Sequence, residues 1–316
     1  MAELVTLTMN PAIDIATSVY AVVPTVKLRC ADLVRSPGGG GINVARVLSR
    51  LGHEVVALYP AGGPTGERLT LLLGEEGIVS KVVTISGETR ESFTILEGAS
   101  GKEYRFVLPG PAFSISEASM MLAALETLEK APDHRFVVLS GSLPEGVSEE
   151  FYAKAAEIAR ISGAKVILDT SGPALAQALK KGGLTLIKPS LRELSELVKR
   201  PLDSQSERLA ACREIMAVGG VEFVALTMGS EGAMLVGRDV ALYAPAVPVE
   251  VNSAVGAGDS FLGAMVAALA EGAKPREAFR RGVAAGSAAL LLPGTSLCRN
   301  EDVDRLVDQV VIADLS

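Results

Sequence analysis

Phe136-Val137-Val138-Leu139-Ser140 sets four consecutive apolar residues against a closing hydroxyl. A short run with no polar face suits a strand covered on both sides, the condition of a parallel sheet. The construction recurs downstream. Val166-Ile167-Leu168 ends in Asp169, Leu184 to Ile187 ends in Lys188-Pro189, and Phe223 to Leu226 ends in Thr227, with helical segments between them. Upstream, Leu4 to Met9 forms a first strand stopped by Asn10-Pro11. Ile42, Val44, Ala45, Val47, Leu48 and Leu51 then trace a helix that Gly52 ends. Val55 to Tyr59 is a further strand and Glu67 to Leu73 a further helix. Strand, polar residue and helix, repeated this often, predict an α/β fold with a doubly wound, mostly parallel sheet flanked by helices. Ligands in such sheets sit beyond the carboxyl ends of the strands, where these polar residues fall.

Composition agrees with that class. Of 316 residues, 48% are hydrophobic and 21% charged, which supports a sizeable core and excludes a disordered chain. The formal net charge of −7 argues against general binding of nucleic acid or anionic membrane. A phosphorylated ligand must then meet a local cationic cluster. Cys30, Cys212 and Cys298, like His53 and His134, lack metal-ligand spacing and read as inert thiols and isolated imidazoles in a reducing cytosol. No signal sequence or membrane-length apolar run is evident, so a soluble cytoplasmic protein is expected. Residues 15–36 and 89–108 break the helical rhythm, are strand-like and carry several basic groups, predicting a small β-sheet lid. Without repeats or long linkers, residues 1–316 read as one domain with that lid embedded.

Three constellations carry chemistry. Ser253-Ala254-Val255-Gly256-Ala257-Gly258-Asp259 leads into an apolar helix through Leu269. Its glycines let backbone N–H groups approach an anion, and the helix N-terminus adds positive potential. Asp259 would take a proton from an attacking hydroxyl, although an aspartate here equally suits a helix N-cap. Pro37-Gly38-Gly39-Gly40-Gly41-Ile42-Asn43 offers open backbone N–H groups and, in Asn43, a donor and acceptor for sugar hydroxyls. It matches neither the phosphate loop G-x-x-x-x-G-K-[ST] nor G-x-G-x-x-G, which disfavours a P-loop NTPase or a dinucleotide dehydrogenase. Lys27 and Arg29, two apart and so on one face of a strand, join Arg90 and Arg105 in a cationic set fit for a phosphate. Asp14 and Glu193 follow strand ends, one suited to sugar hydroxyls and the other to Mg²⁺ held through water.

Taken together, these segments resemble the ribokinase-like sugar kinases, in their phosphofructokinase B branch. The likeness runs from Thr6-Leu7-Thr8-Met9-Asn10-Pro11-Ala12-Ile13-Asp14 to the last helices. Lys27-Leu28-Arg29-Cys30, the four-glycine loop, Tyr104-Arg105-Phe106-Val107, Ser140-Gly141-Ser142-Leu143-Pro144 and Gly282 to Ala289 resemble in detail the bacterial minor-type 6-phosphofructokinases. Fructose-1-phosphate kinases typically carry Lys where this chain has Gly40. The resemblance implies ATP-dependent phosphorylation of fructose 6-phosphate at its 1-hydroxyl, with Asp259 as base and Gly256, Ala257 and Gly258 as anion hole. It implies that Asp14, Gly39 and Asn43 hold the sugar, and that Lys27, Arg29, Arg90, Ser142 and Arg105 hold its phosphate. ATP would lie along Lys188, Thr227, Gly229, Gly232 and Ser287, with Mg²⁺ near Glu193. A K⁺ ion would take Ser253, Val255, Ala289 and Gly294, and paired lids would make a homodimer. Ser190 stands where the family usually has Asn, and Ala254 where it usually has Thr. Kinases for tagatose 6-phosphate or fructose 1-phosphate remain open, as does a silent sugar-phosphate sensor on the same fold.

Overall fold

The computed structural model describes residues 4–31, 33–128 and 136–315; His134 lies outside them. In chain order, β1 (Leu4–Leu7), β2 (Ala12–Val19) and β3 (Val34–Gly38) lead to α1 (Gly40–Arg50), β4 (Val55–Ala61), α2 (Gly63–Glu75) and β5 (Val79–Thr84). Next come β6 (Arg90–Glu97), β7 (Glu103–Val107), α3 (Ile115–Leu128), β8 (Phe136–Ser140), α4 (Phe151–Ile161), β9 (Lys165–Asp169) and α5 (Gly172–Lys181). Then follow β10 (Leu186–Ile187), α6 (Leu191–Val198), α7 (Gln205–Gly219), β11 (Phe223–Thr227), β12 (Ala233–Gly237) and β13 (Ala241–Ala244). The chain finishes with α8 (Ala257–Ala270), α9 (Pro275–Ala289), α10 (Asn300–Val307) and β14 (Ala313–Asp314).

The large sheet runs β14-β13-β12-β11-β10-β9-β8-β1-β4-β5, parallel from β5 across to β11 and antiparallel from there on. Strand alternation divides its side chains between two apolar layers. Leu4, Ala57 and Val138 face α1, α8 and α9, while Val5, Leu58 and Val137 face α3, α4, α5 and α7. Gly282 and Gly286 of α9 lie against Phe261 and Ala257 of α8 and let the two helices approach. The smaller sheet, β3-β2-β6-β7, is the predicted lid.

Its boundaries differ from expectation. Residues 20–31 form no strand, because Pro24 lacks a donor and Thr25 takes φ 65, outside extended space. Lys27 and Arg29 therefore ride an exposed loop, and the same-face argument made for them fails. The first strand stops at Leu7 rather than Met9. Leu184 and Thr185 fall outside β10, since Gly182 and Gly183 turn the chain just before it (φ 72 and 76) and Pro189 follows it.

Candidate active site

Asp259 sits in the first turn of α8, but the N-cap is Gly256, in the left-handed region at φ 76. A side chain at Gly256 would be strained and would meet Leu297 at 2.7 Å. The aspartate is thus free of capping, and the unpaired N–H groups of this turn face the same space. Asn43 Nδ2, from the first turn of α1, donates to Asp259 Oδ2 at 2.8 Å. Burial raises the Asp259 carboxyl to about 6, helped by Asp169, while the Asn43 bond and Lys188 pull it back. A carboxylate held near 6 is ionised at neutral pH and basic enough to accept a proton.

Beneath it, Lys188 at the end of β10 and Asp169 at the end of β9 form a buried ion pair at 3.1 Å. Burial by itself would lower Lys188, but Asp169, Asp259 and Glu193 outweigh it and raise its affinity for the proton. Burial likewise raises Asp169, against the pull of Lys188. Lys188 Nζ lies 3.5 Å from where a Gly258 side chain would begin, directly under the turn.

On the other side of Asp259, Gly39 is the N-cap of α1, and Gly40 packs so closely on Ser140 that an added Cβ would collide with its hydroxyl. Buried Arg46 braces this loop, donating to the Pro37 carbonyl at 2.8 Å and pairing with both Glu76 oxygens. Asp14 lies against Gly38. Burial raises its carboxyl, while Arg90, Arg105 and Arg46 lower it. Arg90 donates to the carbonyls of Leu108 (3.1 Å) and Asn10 (3.0 Å), and Asn10 Nδ2 donates to Ser142 Oγ at 3.2 Å. Asp14, Gly39, Asn43, Arg90, Arg105 and Ser142 are therefore gathered together; Lys27 and Arg29 are not.

A cleft of about 390 Å³ opens on the far side of the Gly256–Gly258 turn. Thr227, Gly229, Gly232 and Ser287 line it, and Val251, Phe261, Val283 and Leu290 give it an apolar wall wide enough for a flat ring. At its edge Ser190 and Glu193 form a capping box on α6: Ser190 N donates to Glu193 Oε2 at 2.8 Å, and Glu193 N donates to Ser190 Oγ at 3.3 Å. Serine thus fulfils the capping duty of the usual asparagine, and one Glu193 oxygen is committed to it. Among the described residues no three His, Cys, Asp or Glu side chains cluster as a metal cage. Asp169 and Glu193, both acting on Lys188, instead suit a hydrated Mg²⁺ shared with phosphates. Asn252 ties the segment before the turn to the end of α9, next to Ala289, through Leu290 O (2.8 Å) and Leu291 O (2.9 Å).

The family model for pfkB family carbohydrate kinases matches residues 7–302. The chain belongs to that family. This pfkB kinase is 45% identical to the ATP-dependent 6-phosphofructokinase isozyme 2 of Mycobacterium tuberculosis, over 97% of this chain and 89% of that one. It is 40% identical to the Escherichia coli isozyme 2, over 97% and 98%. Phosphofructokinase-2 from E. coli in complex with potassium superposes with a TM-score of 0.93 at 40% identity, over 98% of this chain and 99% of that one. The E. coli protein has also been solved with fructose-6-phosphate and as a tetrameric inhibited form. Among the residues of this pfkB kinase that sequence reasoning left out, Asp169 carried a signal: it ends β9 as Lys188 ends β10, and the two strands are neighbours. Asn10 carried none, because its contacts to Arg90 and Ser142 join segments far apart in sequence.

Proposed function

We propose that this chain is an ATP-dependent 6-phosphofructokinase that phosphorylates the 1-hydroxyl of fructose 6-phosphate. The observation that carries the reading is Asp259, poised near 6 between the polar groups around Asp14 and Asn43 and the apolar cleft beyond the turn. Asp259 takes the hydroxyl proton as the oxygen attacks. The amides of Gly256, Ala257 and Gly258 and the N-terminus of α8 meet the negative charge that develops on the transferred group. Lys188 adds a fixed positive charge below them. Asp14, Gly39 and Asn43 orient the sugar, and Arg90, Arg105 and Ser142 receive its phosphate. Lys27 and Arg29 keep their phosphate-binding role in this reading only if the loop of residues 20–31 folds over bound sugar. Thr227, Gly229, Gly232 and Ser287 seat the nucleotide. Glu193 and Asp169 would hold a hydrated Mg²⁺, which would supply neutralisation of phosphate charge, and Ser253, Val255, Ala289 and Gly294 would hold a K⁺, which would add positive potential beside the turn.

The whole chain reads as one kinase domain with its lid embedded. Exposed Tyr20, Val26, Val34, Phe106 and Val107 give the lid an apolar surface, and a second copy of the chain is the partner proposed for it. No described helix is long and apolar enough to cross a membrane, and the buried free thiols Cys212 and Cys298 support a reducing cytoplasm.

The deciding experiment is ADP release with Mg-ATP and K⁺ on fructose 6-phosphate, tagatose 6-phosphate and fructose 1-phosphate at matched concentrations. The highest kcat/KM is expected with fructose 6-phosphate. Preference for another ketose phosphate would move the substrate, and binding without turnover on all three would turn the reading to the silent sensor. The collision facing a side chain at Gly40 already counts against the lysine of the fructose-1-phosphate kinases. A pH profile follows from the same carboxyl. Protonation of Asp259 removes the base, so kcat at saturating substrates should fall about tenfold per unit below pH 6. A kcat that stays flat down to pH 5 would exclude Asp259 as that base.

A further inference from the structure

The lid reaches the anion hole through one side chain. Glu103 opens β7, and strand alternation puts it on the same face as Arg105. The register Ala16↔Thr94↔Arg105 makes this the face that also carries Asp14 and Arg90. From there Glu103 Oε2 accepts a hydrogen bond from Ser253 Oγ at 3.1 Å, and Ser253 Oγ accepts one from Val255 N at 3.2 Å. Ser253 is buried, and Val255 directly precedes Gly256. A hydroxyl has one hydrogen; once that is directed at Glu103, the oxygen lone pairs are left to hold the Val255 N–H. The neighbouring position is Ala254, which has no hydroxyl to share this task. A second lid contact lies nearby, where Gly294 approaches Ala16 so closely that an added side chain would stand 3.1 Å from it.

We propose that Glu103 is a positioning residue through which the lid sets the backbone of the anion hole, so that seating of the lid over the sugar and alignment of the Gly256–Gly258 amides occur together. The proposal rests on the kinase reading above. It explains why an acidic side chain faces inward from a lid otherwise furnished to bind an anion: its partner is a serine of the body rather than the substrate. Misplacement of the turn by a fraction of an ångström affects the transition state more than substrate binding, which places the effect in kcat.

The test compares Glu103→Ala, Glu103→Gln, Ser253→Ala and the double variant Glu103→Ala/Ser253→Ala, reading kcat, KM for fructose 6-phosphate and amide exchange at Val255. Glu103→Ala should lower kcat about tenfold with KM held within about twofold, and should speed exchange at Val255. Glu103→Gln, whose amide oxygen accepts the same hydroxyl, should stay within about twofold of the parent in all three readings. The double variant should be no slower than Ser253→Ala, since both substitutions break one linkage. Wild-type kcat in Glu103→Ala, equal losses in the Ala and Gln variants, or multiplied losses in the double variant would each overturn the proposal. A parent enzyme inactive on every ketose phosphate would instead overturn the kinase reading on which it stands.

Discussion

Replacing Asp259 by Asn is expected to lower kcat by about 10³-fold or more while the sugar phosphate still binds and the fold becomes more stable. The loss comes from removing the carboxylate hydrogen-bonded to Asn43 at the head of α8, whereas the amide keeps an oxygen for that same bond. The gain in stability comes from the raised carboxyl. Burial lifts Asp259 from its ordinary 3.8 to about 6, so the native state holds this proton more tightly than the unfolded chain does. The resulting stabilisation is complete below pH 3.8 and lost as pH rises through 6, so near pH 7.5 the ionised group works against folding. Asn carries no charge to desolvate beside Asp169, and Asp259→Asn should raise the unfolding free energy by about 1–3 kcal/mol at that pH. Steady-state kinetics, sugar-phosphate binding and urea denaturation read the three effects separately. Turnover at the parent rate would sink the assignment of the base, and a drop in stability would sink the account of its raised carboxyl.

Lys188→Met should do the opposite to stability and similar damage to rate. The methionine covers much of the same volume but leaves Asp169 buried without its cation, and breaking one side of such a pair costs about 3–5 kcal/mol. Turnover should fall about 10²-fold, as the fixed positive charge under Gly258 is lost. Adding Asp169→Asn should recover part of the stability, because Asp169 then carries no charge in need of a cation, and little of the turnover. Unfolding midpoints unchanged by Lys188→Met would show that the pair contributes nothing net to the fold. Recovery of rate together with stability in the double variant would show that Lys188 acts only as a structural partner.

The parallel sheet was legible because each buried strand announces itself as an unbroken apolar run with a polar terminus. Ser140, Asp169, Lys188 and Thr227 mark one edge of the sheet in the structure as they do in the sequence. Gly256 to Asp259 was legible for the same local reason, since turn, helix start and acid are contiguous. What stayed hidden depends on residues brought together from distant segments. The Asn10–Ser142 bond and the Glu103–Ser253 bond each need the folded topology before either partner has meaning. Lys27 and Arg29 were placed on a strand that does not form, and their two-residue spacing decides a shared face only within one. Glu193 reads from sequence as a Mg²⁺ site or an exposed helix acid, while its spacing from Ser190 also satisfies a capping box.

The lid's central pairing joins Ala12 to Arg90, and everything from α1 to β5 lies in the chain between them. A pairing across so long a span adds loop-closure entropy that only an assembled body offsets, which makes this small sheet a late arrival on the folding path. The same topology gives it independence afterwards. None of its strands belongs to the ten-stranded sheet, so it can part from the cleft as a local opening that leaves the main ladder intact. Substrate entry thus draws on a sheet outside the main ladder, while the catalytic turn heads a helix packed in the main core.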